Sequence, residues 1–269
     1  MPHCENITKN MQKPLILISN DDGITSVGIR TLVEVMSEIG DVVVVAPDSP
    51  QSGMGHAITI GEPLRLNENT LFEELYPNVK AYDCSGTPAD CVKIAKHHVL
   101  KDRKPDLVVS GINHGSNSSI SVLYSGTMSA AIEAAIEGLP AIGFSLCDYG
   151  ANADFSHIKT HIKKIVLEAL KNGIPKNVAL NVNFPAISKG EIKGIRICRQ
   201  ARAFWKENFD ERKDPQGRHY YWLAGDFVNE DKGEDCDVWA LENGFISVVP
   251  CHFDMTAYNT LQELKTWNL

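Results

Sequence analysis

The sequence predicts an α/β fold with a mostly parallel, doubly wound sheet and helices on both faces, and three observations carry that prediction. Short, largely apolar runs recur from Pro14 to about residue 185, as strands buried on both faces require. Segments with apolar residues at helical spacing separate these runs. After about residue 200 the pattern changes to aromatic-rich segments flanking a turn.

Taken in order, Pro14-Leu-Ile-Leu-Ile-Ser19 is the first strand, and the polar loop Asn20-Asp-Asp-Gly-Ile-Thr-Ser26 follows it. Ile29, Leu32, Val33 and Met36 then share one face of a helix over Val27–Ile39. Asp41-Val-Val-Val-Val-Ala46 is a second strand, followed by a long Ser/Gly/Pro loop from Pro47 to His56. Val79–Cys84 is another strand, and the helix after it starts on three signals. Thr87 is an N-cap, Pro88 the first helical residue, and Asp90 a carboxylate at the third position. Asp106-Leu-Val-Val-Ser110 is a strand followed by a polar loop and a helix over Met128–Glu137. Pro140–Leu146 and Val178–Phe184 are further strands, with a helical stretch near Phe155–Leu170 between them.

Beyond residue 200, Ala203–Phe209 and Arg218–Phe227 flank Asp214-Pro-Gln-Gly217 and predict a β-hairpin. Phe204, Trp205, Phe209, Tyr220, Tyr221 and Trp222 are too many rings for a free ribbon. The arm is therefore expected to pack against something, with a second subunit the natural candidate. A strand at about 244–249 and a capped amphipathic helix over Thr256–Trp267, with its body at about 257–267, complete the chain. The expected organisation is an N-terminal extension at 1–13, a core at 14–200, and a C-terminal extension at 201–269. That extension holds the hairpin at about 203–227 and would complete the core and serve oligomerisation.

Composition narrows the function classes. Of 269 residues, 43% are hydrophobic and 22% charged, which excludes disordered, collagen and coiled-coil classes. There are 26 basic and 34 acidic residues, a net charge of −8, and no basic tail. A nucleic-acid duplex is therefore not an expected partner. Anionic substrates would be repelled unless something local reverses the field. Seven cysteines without a zinc-like pair point to a reducing compartment. The start, Met1 to Lys13, has no apolar signal-like region, and no run approaches the ~20 apolar residues of a membrane span. The expectation is a soluble cytoplasmic protein with no membrane partner.

In open α/β sheets ligands bind beyond the carboxyl ends of the strands, where three polar loops fall. In Asn20-Asp21-Asp22-Gly23, two adjacent carboxylates at a strand end suit a hard divalent cation; the alternative is an Asn/Asp turn capping the next helix. The loop Pro47–Thr59 offers Ser52 as a hydroxyl and glycines that let backbone N–H groups approach an anion. It reads equally as a flexible surface loop. In Ser110-Gly-Ile-Asn-His-Gly-Ser-Asn117, Asn113 offers an amide oxygen. Ser125-Gly126-Thr127 precedes a helix and could bind an anion or simply cap it. No P-loop, G-x-S-x-G elbow or H-E-x-x-H occurs, and Gly53-Met-Gly55 lacks the rest of a dinucleotide fingerprint. His157 and His161 stand four residues apart without a third ligand, and Cys84 and Cys91 read as small core residues.

Six stretches in order resemble the SurE family of survival-protein nucleotidases and phosphatases. They are Ile18-Ser-Asn-Asp-Asp-Gly-Ile24, Val45-Ala-Pro-Asp48 with Ser52 and Gly55-His56, Ser85-Gly-Thr-Pro-Ala-Asp-Cys91, Ser110-Gly-Ile-Asn113, Ser125-Gly-Thr127 and Asn181-Val-Asn-Phe-Pro185. Looser similarity runs through Arg199-Gln200, the aromatic arm and Pro250-Cys-His252 with Asp254 and Thr256. The resemblance implies a Rossmann-like catalytic core and a metal-dependent phosphomonoesterase acting on nucleoside 5′-monophosphates. It leaves 3′-monophosphates and polyphosphate open as further substrates. It places one Mg²⁺ or Mn²⁺ per subunit on Asp21, Asp22, Ser52 and Asn113. Phosphate would be held by Asn117, Ser125, Gly126 and Thr127, with Asp22 or His252 as proton donor. Attack by metal-activated water is favoured over an aspartyl-phosphate, since both carboxylates are assigned to the metal. The implied assembly is a homodimer or homotetramer built through the C-terminal arm. Residues 49–54 and 114–121 depart from commoner family sequences, leaving base and substrate preference open. The rival readings are a non-catalytic nucleotide-binding sensor and an oligomeric structural protein.

Overall fold

In a computed structural model, residues 13–150, 152–187 and 191–269 are described. The first half of the chain runs β1 (Leu15–Ser19), α1 (Val27–Ser37), β2 (Asp41–Pro47), β3 (Leu66–Asn69), β4 (Val79–Cys84), α2 (Pro88–Ile94) and β5 (Leu107–His114). The second half runs α3 (Gly126–Ile136), β6 (Ala141–Leu146), α4 (Lys159–Asn172), β7 (Val178–Phe184), β8 (Ile195–Ile197), β9 (Ala203–Lys213), β10 (His219–Asn229), α5 (Asp237–Glu242), β11 (Ile246–His252) and α6 (Tyr258–Leu264).

One sheet has the strand order β3-β4-β2-β1-β5-β6-β7-β11-β8, and β9 and β10 form a separate antiparallel ribbon. From β4 to β7 every pairing is parallel, while β3 and β11 run against their neighbours β4 and β7. The doubly wound α/β fold expected from the sequence is therefore present. Strands β1 and β6 are buried at every position, because helices cover both faces of the sheet. On one face Ile29, Leu32, Val33 and Met36 of α1 pack with Ile162, Ile165 and Val166 of α4. On the other, Cys91 and Val92 of α2 join Met128, Ala130, Ala131, Ala134 and Ala135 of α3. The small residues of α3 let its backbone approach the strands closely.

The start of α2 is a full capping box. Thr87 Oγ1 accepts from the Asp90 N–H at 3.2 Å, and the Asp90 carboxylate accepts from the Thr87 N–H at 3.0 Å. Cys84 and Cys91 are buried free thiols in the core, and Cys4 lies outside the described residues, as does most of the 1–13 extension.

Three elements were not anticipated. Strands β3 (Leu-Asn-Glu-Asn) and β8 (three residues) lie at the sheet edges and carry no apolar run, and α5 is barely more than a turn. Strand β5 also runs past Ser110 to His114, because its register with β6 slips between Ser110 and Asn113. The terminal helix differs from expectation: α6 spans only Tyr258–Leu264, has no side-chain cap and buries no residue. Asp254 instead accepts from the Thr256 N–H at 2.9 Å and from the Tyr258 hydroxyl, tying the segment into a local turn. The arm is longer than expected, with Asp214 closing its turn by accepting N–H bonds from Gln216 and Arg218, each at 2.9 Å.

Candidate active centre

The centre begins where β1 ends. Asn20 Nδ2 donates to the Gly23 carbonyl and to Ser26 Oγ, both at 2.9 Å, so the loop folds back on itself. Ser26 in turn caps α1, accepting from the Ile29 N–H at 3.4 Å. This leaves Asp21 buried against the start of α3, where Thr127 Oγ1 donates to its Oδ1 at 2.5 Å. Gly126 is required at that point. A Cβ there would lie 2.6 Å from the Asp21 Cβ and 3.0 Å from its Oδ2.

Both carboxylates are held in costly surroundings. Burial is the main cause that pushes the Asp21 carboxyl up to about 6; the Asp22 charge adds to it, and hydrogen bonds from Thr127 oppose it. Burial also raises Asp22, opposed by the backbone N–H and the imidazole of His114. Asp22 Oδ2 is buried and has no hydrogen-bond partner, and the same holds for Asn20 Oδ1, Ser19 Oγ and Ser110 Oγ. Ser19 and Ser110 face each other in the β1–β5 register, so these orphaned oxygens gather at one strand pair. Buried acceptors without donors are expensive unless a cation or water meets them.

Asn113 is oriented by its own strand end. Its Nδ2 donates to the carbonyls of His114 and Gly115 at 3.0 and 2.9 Å, which leaves Oδ1 as the free end. Ser52 is exposed on a turn, but the turn is pinned: the Gln51 N–H donates to the Asp21 carbonyl at 2.7 Å. A second tie holds the same loop from the far side. His56 Nε2 lies 2.9 Å from Glu133 Oε2 on α3, and Lys93 donates to Oε1 of that carboxylate at 2.6 Å.

The hydroxyls of the helix-start turn are already engaged. Ser125 Oγ caps α3 by accepting from the Met128 N–H at 3.0 Å, and Thr127 serves Asp21. What this turn offers an anion is therefore chiefly the dipole of α3, since the Met128 N–H serves Ser125 Oγ and the Thr127 N–H also bonds to Asp21. Asn117 is buried in an amide network. Its N–H donates to Asn183 Oδ1, its Nδ2 to Ser145 Oγ, and its carbonyl accepts from Asn181 Nδ2, all at 2.8 Å. Its side chain fixes the 115–118 loop and has its donor committed there.

The structure thus brings together Asp21, Asp22, Asn113, Gly126 and Thr127, with Ser125 beside them and Ser52 at the rim. It does not bring His252. Because β11 runs antiparallel to β7, His252 pairs with Val178 at the start of β7, at the opposite end of the parallel strands. There it is exposed, and its Nδ1 accepts from the Asp254 N–H at 2.8 Å. It lines an apolar cavity of about 760 Å³ with Leu123, Ile132, Cys198 and Phe253. Within one chain this topology sets His252 apart from Asp21 and Asp22, so its expected role as proton donor would need a second copy.

With this geometry in place, comparison with known proteins is specific: the family described as survival protein SurE matches residues 16–207. The chain belongs to the SurE family. It is 72% identical over 255 residues to the 5′-nucleotidase SurE of Cytophaga hutchinsonii, covering 95% of this chain and 97% of that protein. It is 45% identical over 259 residues to the 5′-nucleotidase SurE of Phocaeicola vulgatus, covering 96% and 98%. Its fold matches a crystal structure of the SurE protein from Aquifex aeolicus at a TM-score of 0.79 and 40% identity, over 94% of this chain and 98% of that one.

Two residues of this SurE centre escaped the sequence reading. His114 was counted only within a stretch that departs from the family, yet it stands beside Asp22 and packs edge-on against Phe155 at 4.9 Å between ring centroids. Glu133 carried no signal beyond its place in a helix, although it is a buried charge in an Ala-rich segment. Among the described residues, no group of three His, Cys, Asp or Glu could hold a metal ion. The candidate centre gathers two carboxylates with an amide and, at the rim, a hydroxyl.

Proposed function

We propose that this chain is a metal-dependent 5′-nucleotidase, releasing phosphate from nucleoside 5′-monophosphates. The observation that carries the proposal is the buried, unpartnered Asp22 Oδ2 beside buried Asp21, next to the start of α3. Its oxygen-only donor set, with the free Asn113 Oδ1 and Ser52 at the rim, fits a hard divalent ion such as Mg²⁺ or Mn²⁺. Asp21, Asp22, Asn113 and Ser52 would hold it, one ion per subunit. When bound, such an ion supplies positive charge for a phosphoryl oxygen and acidifies water to make a nucleophile.

The chain's own groups do the rest. The start of α3 would face the negative phosphate, with the helix dipole supplying the pull. The Thr127 hydroxyl fixes one oxygen of Asp21, so that carboxylate keeps a single orientation. The Asn117 network holds the loop after β5 in place. Of the two proton donors expected for the leaving nucleoside oxygen, Asp22 lies at the centre but would hold the metal as a carboxylate, which leaves His114 beside it as the better-placed donor. The net charge of −8 does not repel substrate here, because a bound cation reverses the local field. The exposed rings of the arm support the further proposal of a homo-oligomer formed through the C-terminal extension.

The test is a phosphate-release screen over nucleoside 5′- and 3′-monophosphates and polyphosphate, with Mg²⁺, Mn²⁺ and EDTA. Release from 5′-monophosphates that EDTA abolishes is the expected result. Saturable nucleotide binding without release under either ion would instead make the protein a sensor.

A further inference from the structure

The two faces of the arm differ. Its register places the pairs Trp205/Phe227, Glu207/Gly225 and Phe209/Leu223 on one face, and Phe204/Val228, Asp210/Trp222 and Arg212/Tyr220 on the other. The first face folds back on the 119–123 turn of its own chain. Trp205 Nε1 lies 3.3 Å from Ser121 Oγ, and the Ala203 N–H donates to Ser119 Oγ at 3.1 Å. Between Phe227 and Leu223 this face has a notch, because Gly225 stands opposite Glu207. A Cβ at Gly225 would lie 2.7 Å from the Lys206 carbonyl oxygen and 3.1 Å from the Glu207 Cα.

The notch opens into a cleft of about 480 Å³ walled by Gly53, Tyr124, Trp205, Glu207, Leu223 and Gly225. That volume is of the size that takes a small ligand. Two walls are continuous with the candidate active centre. Gly53 follows Ser52 on the loop pinned to Asp21, and Tyr124 immediately precedes Ser125 at the start of α3. The same two segments are tied to each other, since the Gly55 N–H donates to the Tyr124 carbonyl at 3.3 Å. Tyr124 is 54% exposed and Trp205 38%, so the rings are available rather than sunk into the core. Glu207 is the one charged side chain of the lining.

We propose that this cleft is the nucleoside side of the active centre, where Tyr124 and Trp205 stack the base and Glu207 accepts a hydrogen bond from an N–H on its edge. The proposal rests on the phosphatase reading for the position of the phosphate, and it assigns the other half of the substrate. Two aromatic side chains with one carboxylate acceptor suit a flat heterocycle bearing N–H donors better than an aliphatic or anionic group. Stacking is tolerant of base identity, because every base has a π-face. All four bases should therefore enter, with Glu207 favouring those that present a donor edge.

The experiment compares AMP with ribose 5-phosphate, which lacks the base, and titrates adenosine alone into the full-length chain. Tyr124→Ala should lower the ratio of kcat/KM for AMP over ribose 5-phosphate about tenfold and weaken adenosine binding about as much. Tyr124→Phe, which keeps the ring, should hold both near the parent values. An unchanged ratio together with unchanged adenosine affinity in Tyr124→Ala would overturn the assignment. If the parent released phosphate from neither ester, the phosphatase reading would fall. The adenosine titration would still decide the cleft by the same Tyr124→Ala comparison.

Discussion

The carboxyl-end edge of the parallel strands and the C-terminal extension handle their side chains in opposite ways. At the strand ends, Asp21 is buried, Thr127 and Ser125 are committed to fixed partners, and Asn113 is turned by two carbonyls. In the extension, α6 buries no residue, and Phe209, Tyr221, Trp222 and Leu223 stay exposed. The first region holds charge in place at a cost, with buried oxygens that no side chain or backbone group partners. The second exposes apolar area that a single chain leaves uncovered. Preorganised chemistry is therefore a property of the core, while the extension supplies walls and contact surface.

The comparison can be broken most severely at Asp21. Asp21→Asn should cut metal-dependent phosphate release on the order of a thousandfold, since it removes a charge from the cation's donor set. Burial is what raises the Asp21 carboxyl, so the metal-free variant should be no less stable than the parent at neutral pH. Steady-state assays with thermal melts in EDTA read both effects.

Gly126→Ala comes next. The added methyl would lie 2.6 Å from the Asp21 Cβ, so Asp21 or α3 must shift. Metal affinity should fall about tenfold or more and stability by about 1–3 kcal/mol, read by Mn²⁺ titration and by denaturant melts.

Glu133 separates loop anchoring from chemistry. Burial alone would raise its carboxyl, but hydrogen bonds from His56 and Lys93 outweigh that and hold it below its ordinary range. A depressed carboxylate stabilises the fold above its unfolded value of 4.5, and the contribution is lost as pH falls through the lower folded value. Glu133→Gln should therefore flatten the acid limb of the stability profile below about pH 5. At pH 7 it should cost about 1 kcal/mol, a figure kept small because Lys93 is more than a third exposed.

The smallest effect is expected at His252. Lying at the opposite end of the strands, it should tolerate replacement by Ala with kcat/KM within about twofold of the parent. A collapse of activity there would mean that a second copy brings its His252 to the centre.

Much of this was legible in the chain. Strands β1 and β2 announce themselves as apolar runs, and Thr87, Pro88 and Asp90 write the start of α2 in side-chain chemistry. Asp21 and Asp22 stand out because two carboxylates follow a buried strand directly. What could not be read depends on tertiary pairing. Edge strands β3 and β8 form because a neighbour offers hydrogen bonds, so short segments without an apolar run suffice. The position of His252 was not legible because strand direction is invisible locally, and the reversal of β11 carries it to the opposite end of the strands. Ser125 and Thr127 have hydroxyls suited to phosphate, but only the fold shows what they already hold.

The most direct test of the central claim is the stoichiometry of Mn²⁺ binding, followed by electron paramagnetic resonance in the parent and in Asp21→Asn. An oxygen-ligand centre at Asp21, Asp22, Asn113 and Ser52 predicts one ion per chain in the parent and its loss in the variant. Full Mn²⁺ binding by Asp21→Asn would contradict it.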